Sequence, residues 1–166
     1  MERHHLFNPN HKYLLPVVVS GSLNFSLLAI WAFGCRAPGS AKRLGIPTAV
    51  LLEDYEQLMS QGHVVVAGDF NNSVCWDKPG RQGNFSNIAS RLEGHGFTSA
   101  YHSFVGSPYG AEPHPTLFWL TGKGVYHIDY CFLPQSWSLT SVVVGNGKEW
   151  TPVSDHAPLI VDCVPT

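Results

Sequence analysis

The stretch His63-Val64-Val65-Val66-Ala67-Gly68-Asp69-Phe70-Asn71 decides how this chain is read. Residues 63–67 are almost wholly apolar, which in an element of period two means a strand buried on both faces. The strand stops at Gly68-Asp69, so a carboxylate stands at its mouth. An ionised carboxylate held away from water is very costly unless it is paired, and a metal ion or an imidazole would supply the partner. Asp69 and Asn71 flank Phe70, so their side chains point to the same side if strand geometry persists.

Outward from this stretch, two more acids occupy similar places. Asp129 lies inside His127-Ile128-Asp129-Tyr130-Cys131-Phe132, and Asp155 sits in Ser154-Asp155-His156 directly before the last apolar run. Asp162 alternates with Val161 and Cys163 and reads as a solvent-facing residue. On the N-terminal side, residues 13–20 and 23–33 are β-prone runs broken at Gly21-Ser22, an antiparallel hairpin. A Gly, Pro and basic loop (34–47) leads to apolar residues at helical spacing, Val50, Leu51, Tyr55, Leu58 and Met59, with Thr48 as N-cap and Gly62 as stop. A polar loop (71–83) precedes a second helix over about 86–93, stopped by Gly94 or Gly96. The remainder reads as short strands at 98–104, 116–120, 126–133, 139–144 and 158–164, the pattern of a sandwich.

If these strand ends converge, they make one cleft for a divalent cation and a phosphate. Asp69 takes a proton from an attacking water and the Asn71 amide donates to a phosphate oxygen. Asp155 offers the hard oxygen that Mg²⁺ prefers. Adjacent residues on an extended segment point apart, so a loop is needed to bring His156 to the same phosphate. Asp129 is the natural partner of His156: a carboxylate on one ring nitrogen fixes the tautomer and favours the imidazolium.

Gly68-Asp69-Phe70-Asn71, Ile128-Asp129-Tyr130 and Ser154-Asp155-His156, in that order, resemble the later motifs of the endonuclease/exonuclease/phosphatase superfamily, the DNase I-like metal-dependent phosphodiesterases. The resemblance runs over about residues 13–164, and Thr116 matches a Thr that members commonly carry. It implies an α+β fold, the DNase I-like four-layer αββα sandwich, incomplete here because the N-terminal strands are missing. It implies that Asp69 is the water-activating base, Asn71 a phosphate binder, Asp129 the orienter of His156, Asp155 a metal-site residue and His156 an acid/base or phosphate stabiliser. Asn71, Thr116 and Trp119 are the expected substrate contacts, with Trp76 a second aromatic near the cleft.

The departures from the family pattern shape the expectation. Members open with an Asn-bearing strand and a Gln-Glu segment whose Glu is the principal Mg²⁺ ligand; here the only acid before residue 50 is Glu2, and no Gln-Glu pair exists. Where many members carry a His in a Thr-His-Leu segment, residues 28–32 have Trp31. The chain therefore reads as one partial domain over 1–166, the C-terminal part of such a fold, a fragment or a shortened gene product, binding Mg²⁺ (or Mn²⁺) weakly through the remaining residues. Lost strands would expose a sheet edge and favour self-association.

Composition bounds the rest. With 166 residues, 44% hydrophobic and a net charge of −2, the chain suits one globular domain and lacks the overall positive field that drives sequence-blind nucleic-acid binding. Cys35, Cys75, Cys131 and Cys163 are far apart and read as buried thiols of a cytoplasmic protein, with no apolar run long enough to span a bilayer. The leading expectation is a metal-dependent hydrolase of phosphoester bonds in nucleic acid, phospholipid or inositol-type substrates. The alternative is a catalytically inactive relic that binds a partner. In bland readings, Asp69 and Asn71 cap a turn, Asp129 is a structural acid, Asp155 a turn residue and His127 the partner of a neighbouring strand.

Overall fold

A computed structural model describes residues 1–11, 13–32, 48–119 and 124–165. The expected loop over 34–47, Cys35 and Leu120 lie outside these residues. The chain is α+β, as expected. A six-stranded sheet runs in the order β1 (Glu2–Arg3), β2 (Leu14–Val19), β3 (Phe25–Trp31), β4 (Val64–Asp69), β8 (Asp129–Pro134), β5 (Phe97–Ser99). A two-stranded sheet pairs β9 (Ser138–Val144) with β10 (Leu159–Val164), and a second pairs β6 (Leu117–Phe118) with β7 (Val125–Tyr126). The expected hairpin is the antiparallel β2–β3 pair, and β3 then runs parallel to β4.

Each face of the central strands has its own core. Leu28 and Ile30 of β3, Val64 and Val66 of β4, and Tyr130 and Phe132 of β8 pack beneath the helices. Those helices are a run in three pieces, α1 (Thr48–Leu51), a 3₁₀ turn (Leu52–Tyr55) and α2 (Glu56–Met59), together with α3 (Phe85–Gly94). Each large apolar side chain buried there contributes about 1.5–3 kcal/mol. Val65, Ala67, Cys131, Leu133 and Leu27 face the other way and pack against Leu139, Val142, Val161 and Cys163 of β9 and β10. Residues 63–67 therefore meet apolar partners on both faces, and this explains why they lack alternation.

α3 starts where Asp77 reaches back: its carboxylate accepts from the N–H groups of Phe85 and Ser86 at 2.7 and 3.1 Å. It ends at Gly94, with Gly96 left-handed at φ 79°.

Residues 98–104 are not one strand. β5 ends at Ser99 and the chain turns into α4 (Ala100–Val105), stopped by left-handed Gly106 at φ 75°. The β-prone Tyr101 is instead wholly buried on a helix, where its hydroxyl meets His114 Nδ1 at 2.9 Å. Burial overrides propensity here. A short helix α5 (Gly147–Trp150) and the edge strand β1 were not foreseen. Among the cysteines, Cys75 is exposed and Cys131 and Cys163 are half-buried, so the expectation of uniformly buried thiols is corrected.

Candidate active site

The alternation along β4 decides where Asp69 points. Val64 and Val66 face the helices, Val65 and Ala67 face the smaller sheet, and Phe70 rejoins the helix-side core, which leaves Asp69 on the face turned to β9 and β10. The same count along β8 puts Asp129 on that face with Cys131 and Leu133. The β4–β8 register sets Asp69 opposite Asp129. Two like charges so placed repel each other.

Asp69 reaches this position through Gly68, whose φ is 142°. A Cβ there would lie 1.9 Å from the Ile30 carbonyl oxygen of β3, so only glycine lets the two backbones approach. Asn71 follows in the left-handed region at φ 45°, which Asn tolerates. The Asp69 carboxylate accepts from the Asn71 N–H at 2.8 Å and from its side-chain amide at 2.7 Å. Asp69 thus caps its turn, as the bland reading has it, and the turn rather than continued strand geometry holds Asn71 against it. The second amide hydrogen of Asn71 is left for another acceptor.

His156 comes from outside the main sheet. Its Nδ1–H donates to Asp129 Oδ2 at 2.9 Å, which turns Nε2 away from the carboxylate. This hydrogen bond holds the His156 imidazolium above its ordinary pKa, with further help from the charges of Asp129, Asp69 and Asp155. Burial pushes the Asp69 carboxyl up to about 6, the Asn71 N–H opposing and the charges of Asp129 and Asp155 adding to the rise.

Ligand atoms of Asp69, Asp129 and His156 lie within 4.8 Å of one another. Two opposed, half-buried carboxylates are a donor set that suits a hard divalent cation keeping several waters, as Mg²⁺ does. Asp155, the expected metal ligand, falls outside this group and is exposed. Its backbone oxygen accepts from Phe118 N–H at 2.7 Å and its neighbour Ser154 Oγ accepts from His156 N–H at 3.0 Å, so the turn that aims His156 inward aims Asp155 outward.

Thr116 is also corrected. It is wholly buried, and so it is not a substrate contact. Its Oγ1 accepts from the N–H groups of Ile128 and Asp129, both at 3.1 Å, and its carbonyl accepts from Ala157 N–H at 2.8 Å. With Leu117 bridging His156, Thr116 staples the Asp129 and His156 segments together. Trp119 is partly exposed and edge-on to Tyr126, which also meets Trp76 at 4.7 Å between ring centroids.

His127 is a buried residue whose Nδ1–H donates to the His114 carbonyl at 2.8 Å, packed against Tyr101. The Tyr130 hydroxyl shares its one hydrogen between the carbonyls of His127 at 2.9 Å and Asn72 at 3.3 Å, and so ties residue 127 to the residue that follows the Asp69–Asn71 turn; reading the sequence did not single it out. A cleft of about 610 Å³ between the sheets is lined by Leu27, Ala67, Cys131 and Val161 together with Asp129, His156 and Trp150.

The sequence matches the endonuclease/exonuclease/phosphatase family over residues 7–156. The chain belongs to that family. Solved structures similar to it include a 3′ phosphatase, NExo, from Neisseria with a bound product DNA hairpin, at 19% identity and TM-score 0.68, with 95% of this chain and 69% of that one covered. The endonuclease domain of TRAS1, a telomere-specific non-LTR retrotransposon, aligns at 14% identity and TM-score 0.62 over 99% of this chain and 66% of that one. An endonuclease/exonuclease/phosphatase from Beutenbergia cavernae gives 21% identity and TM-score 0.54 over 95% and 42%. This family chain therefore spans from 42% to 69% of the length of these three structures. No curated protein matches the sequence. Among the described residues no helix is long and apolar enough to cross a membrane.

Proposed function

We propose that this chain hydrolyses a phosphoester bond at the Asp69, Asp129 and His156 cluster with the help of Mg²⁺ or Mn²⁺. The observation that carries this reading is the meeting of a base, an oriented imidazole and an amide donor at one place. Asp69 with its elevated proton affinity takes a proton from the attacking water near neutral pH. The remaining Asn71 amide hydrogen donates to a non-bridging phosphate oxygen. His156, held by Asp129, gives its Nε2 proton to the departing oxygen as the P–O bond breaks. A cation held by Asp69 and Asp129, in the field of Asp155, would neutralise charge developing on the phosphate. Trp119 at the rim contacts the substrate beyond the phosphate.

The 3′ phosphatase and endonuclease activities of the similar structures support nucleic acid as the substrate. The test is Mg²⁺-dependent release of phosphate or nucleotide from a short oligonucleotide, with His156→Ala as control. Loss in the variant and in chelator supports the reading, and activity unchanged by the variant sinks it. The exposed Val143, Ile160 and Val164 on the smaller sheet support the self-association expected from the sequence, which sedimentation tests.

A further inference from the structure

We propose that Tyr130 is a positioning residue for the reaction: its hydroxyl sets the distance between Asn71, the phosphate donor, and the Asp129–His156 pair. This rests on the phosphoester-hydrolase reading above and deepens it. Tyr130 lies on β8 one residue past Asp129, and alternation turns its ring into the helix-side core, away from the face that carries the acids.

The need for such a clamp follows from where the strand pairing stops. β4 and β8 pair as far as Asp69 and Asp129, and a hydrogen bond from Phe70 N–H to the Ile128 carbonyl at 2.9 Å extends the pairing by one step. Past it the chain turns away, with Asn71 left-handed at φ 45°. The N–H and the side-chain amide of Asn71 both donate back to Asp69. Those bonds hold Asn71 to Asp69 but not to the segment that carries Asp129 and, through it, His156.

The Tyr130 hydroxyl joins the two. It shares its hydrogen between the carbonyl of His127, two residues before Asp129, at 2.9 Å and that of Asn72, the residue after Asn71, at 3.3 Å. The Ser73 side chain hydrogen-bonds to the same hydroxyl. Both residues it grips are anchored in turn: the buried Asn72 donates its amide to the Gly83 carbonyl at 2.9 Å, and the buried His127 ring donates to the His114 carbonyl at 2.8 Å.

The hydroxyl serves as a fixed point because packing holds the ring. The ring is stacked on Phe85 at 4.2 Å and edge-on to Phe70 at 5.4 Å between centroids, and all three side chains are wholly buried. Losing the oxygen alone therefore keeps the core and releases the clamp, so that Asn71 leaves the place where its amide meets a phosphate oxygen. A displacement of about 1 Å at such a group costs on the order of 10²-fold in rate.

The test is a double-mutant cycle on the full chain, with kcat measured on a short oligonucleotide in Mg²⁺ well below the unfolding temperature. Tyr130→Phe should lower kcat by about 10–100-fold in the wild-type background. In the Asn71→Ala background it should lower kcat by under about threefold, because the group it positions is gone. A residue that only stabilises the fold costs the same in both backgrounds. Amide hydrogen exchange gives a second readout that needs no activity. In Tyr130→Phe the Asn71 N–H should exchange about tenfold faster relative to the Val66 N–H of β4, whereas Ile88→Val, which loosens the core under α3, should leave that ratio unchanged. Equal losses of kcat in both backgrounds, full kcat in Tyr130→Phe, or an exchange ratio that Tyr130→Phe does not move overturns the proposal. Absence of hydrolysis by wild type sinks the phosphoester reading, and the exchange ratio still separates a clamp on Asn71 from none.

Discussion

Asp129 lies directly opposite Asp69 across the β4–β8 pairing, on the face that looks toward the smaller sheet. Among the described residues the cationic side chain that meets this pair is His156, bonded to Asp129 at 2.9 Å, and Asp69 faces Asp129 without such a bond of its own.

A pH-dependent response to metal follows. The Asp69 carboxyl is raised from 3.8 to about 6 in the fold. Between those values the unfolded chain loses the proton and the folded chain keeps it, so the metal-free protein loses stability as pH rises through that window. Mg²⁺ competes with the proton and stabilises mainly above pH 6; at about a hundred times its Kd the gain is about 2.7 kcal/mol. Thermal unfolding at pH 5 and pH 7.5, with and without Mg²⁺, should show the larger shift at pH 7.5. Asp69→Asn should flatten the metal-free pH dependence.

The Asp129–His156 hydrogen bond should govern rate. A raised imidazole pKa contributes stability below the ordinary value of 6.5 that is lost as pH climbs through the folded value. Asp129→Asn removes the anionic acceptor, so the His156 midpoint, followed by NMR, should fall. Cleavage should slow by about 10²–10⁴-fold. A variant with unaltered rate would remove His156 from the reaction.

Thr116 should act on stability through two backbone donors. Thr116→Val leaves the N–H groups of Ile128 and Asp129 buried without their acceptor, at about 1–3 kcal/mol for each. Thr116→Ser keeps the hydroxyl and should lose far less. Urea denaturation of the two variants compares them directly.

Gly68→Ala should be among the most damaging single changes. The added methyl would meet the Ile30 carbonyl on a backbone at φ 142°, a conformation that is strained for any L side chain. A loss of about 3 kcal/mol is expected, read as a lower urea midpoint, and it should come with reduced metal response because Asp69 moves with the strand.

Reading residues in order was enough for the strands that are buried on both faces and for the acids at their ends. Residues 63–67 show those features because neighbours in sequence are neighbours in a strand, whereas the single strand expected over 126–133 is two, Val125–Tyr126 and Asp129–Pro134, so that Asp129 opens a strand and does not lie inside one. Residues 98–104 misled, because Thr98, Tyr101 and Phe104 are β-prone by type while Tyr101 is buried on a helix. Thr116 was an expected substrate contact because it matches a Thr that family members commonly carry, and only the fold shows that its hydroxyl serves two backbone amides.

Sequence alone determined that three acids and a histidine stand inside or at the ends of apolar runs, since the cost of stranding charge is local and can be read residue by residue. Tertiary structure decided which of them meet. The β4–β8 register sets Asp69 against Asp129, the Ser154 turn sends His156 inward and Asp155 outward, and the parallel β3–β4 pair brings Trp31 beside Asp69. Those relations depend on the pairing of segments far apart in the chain, which no local preference encodes.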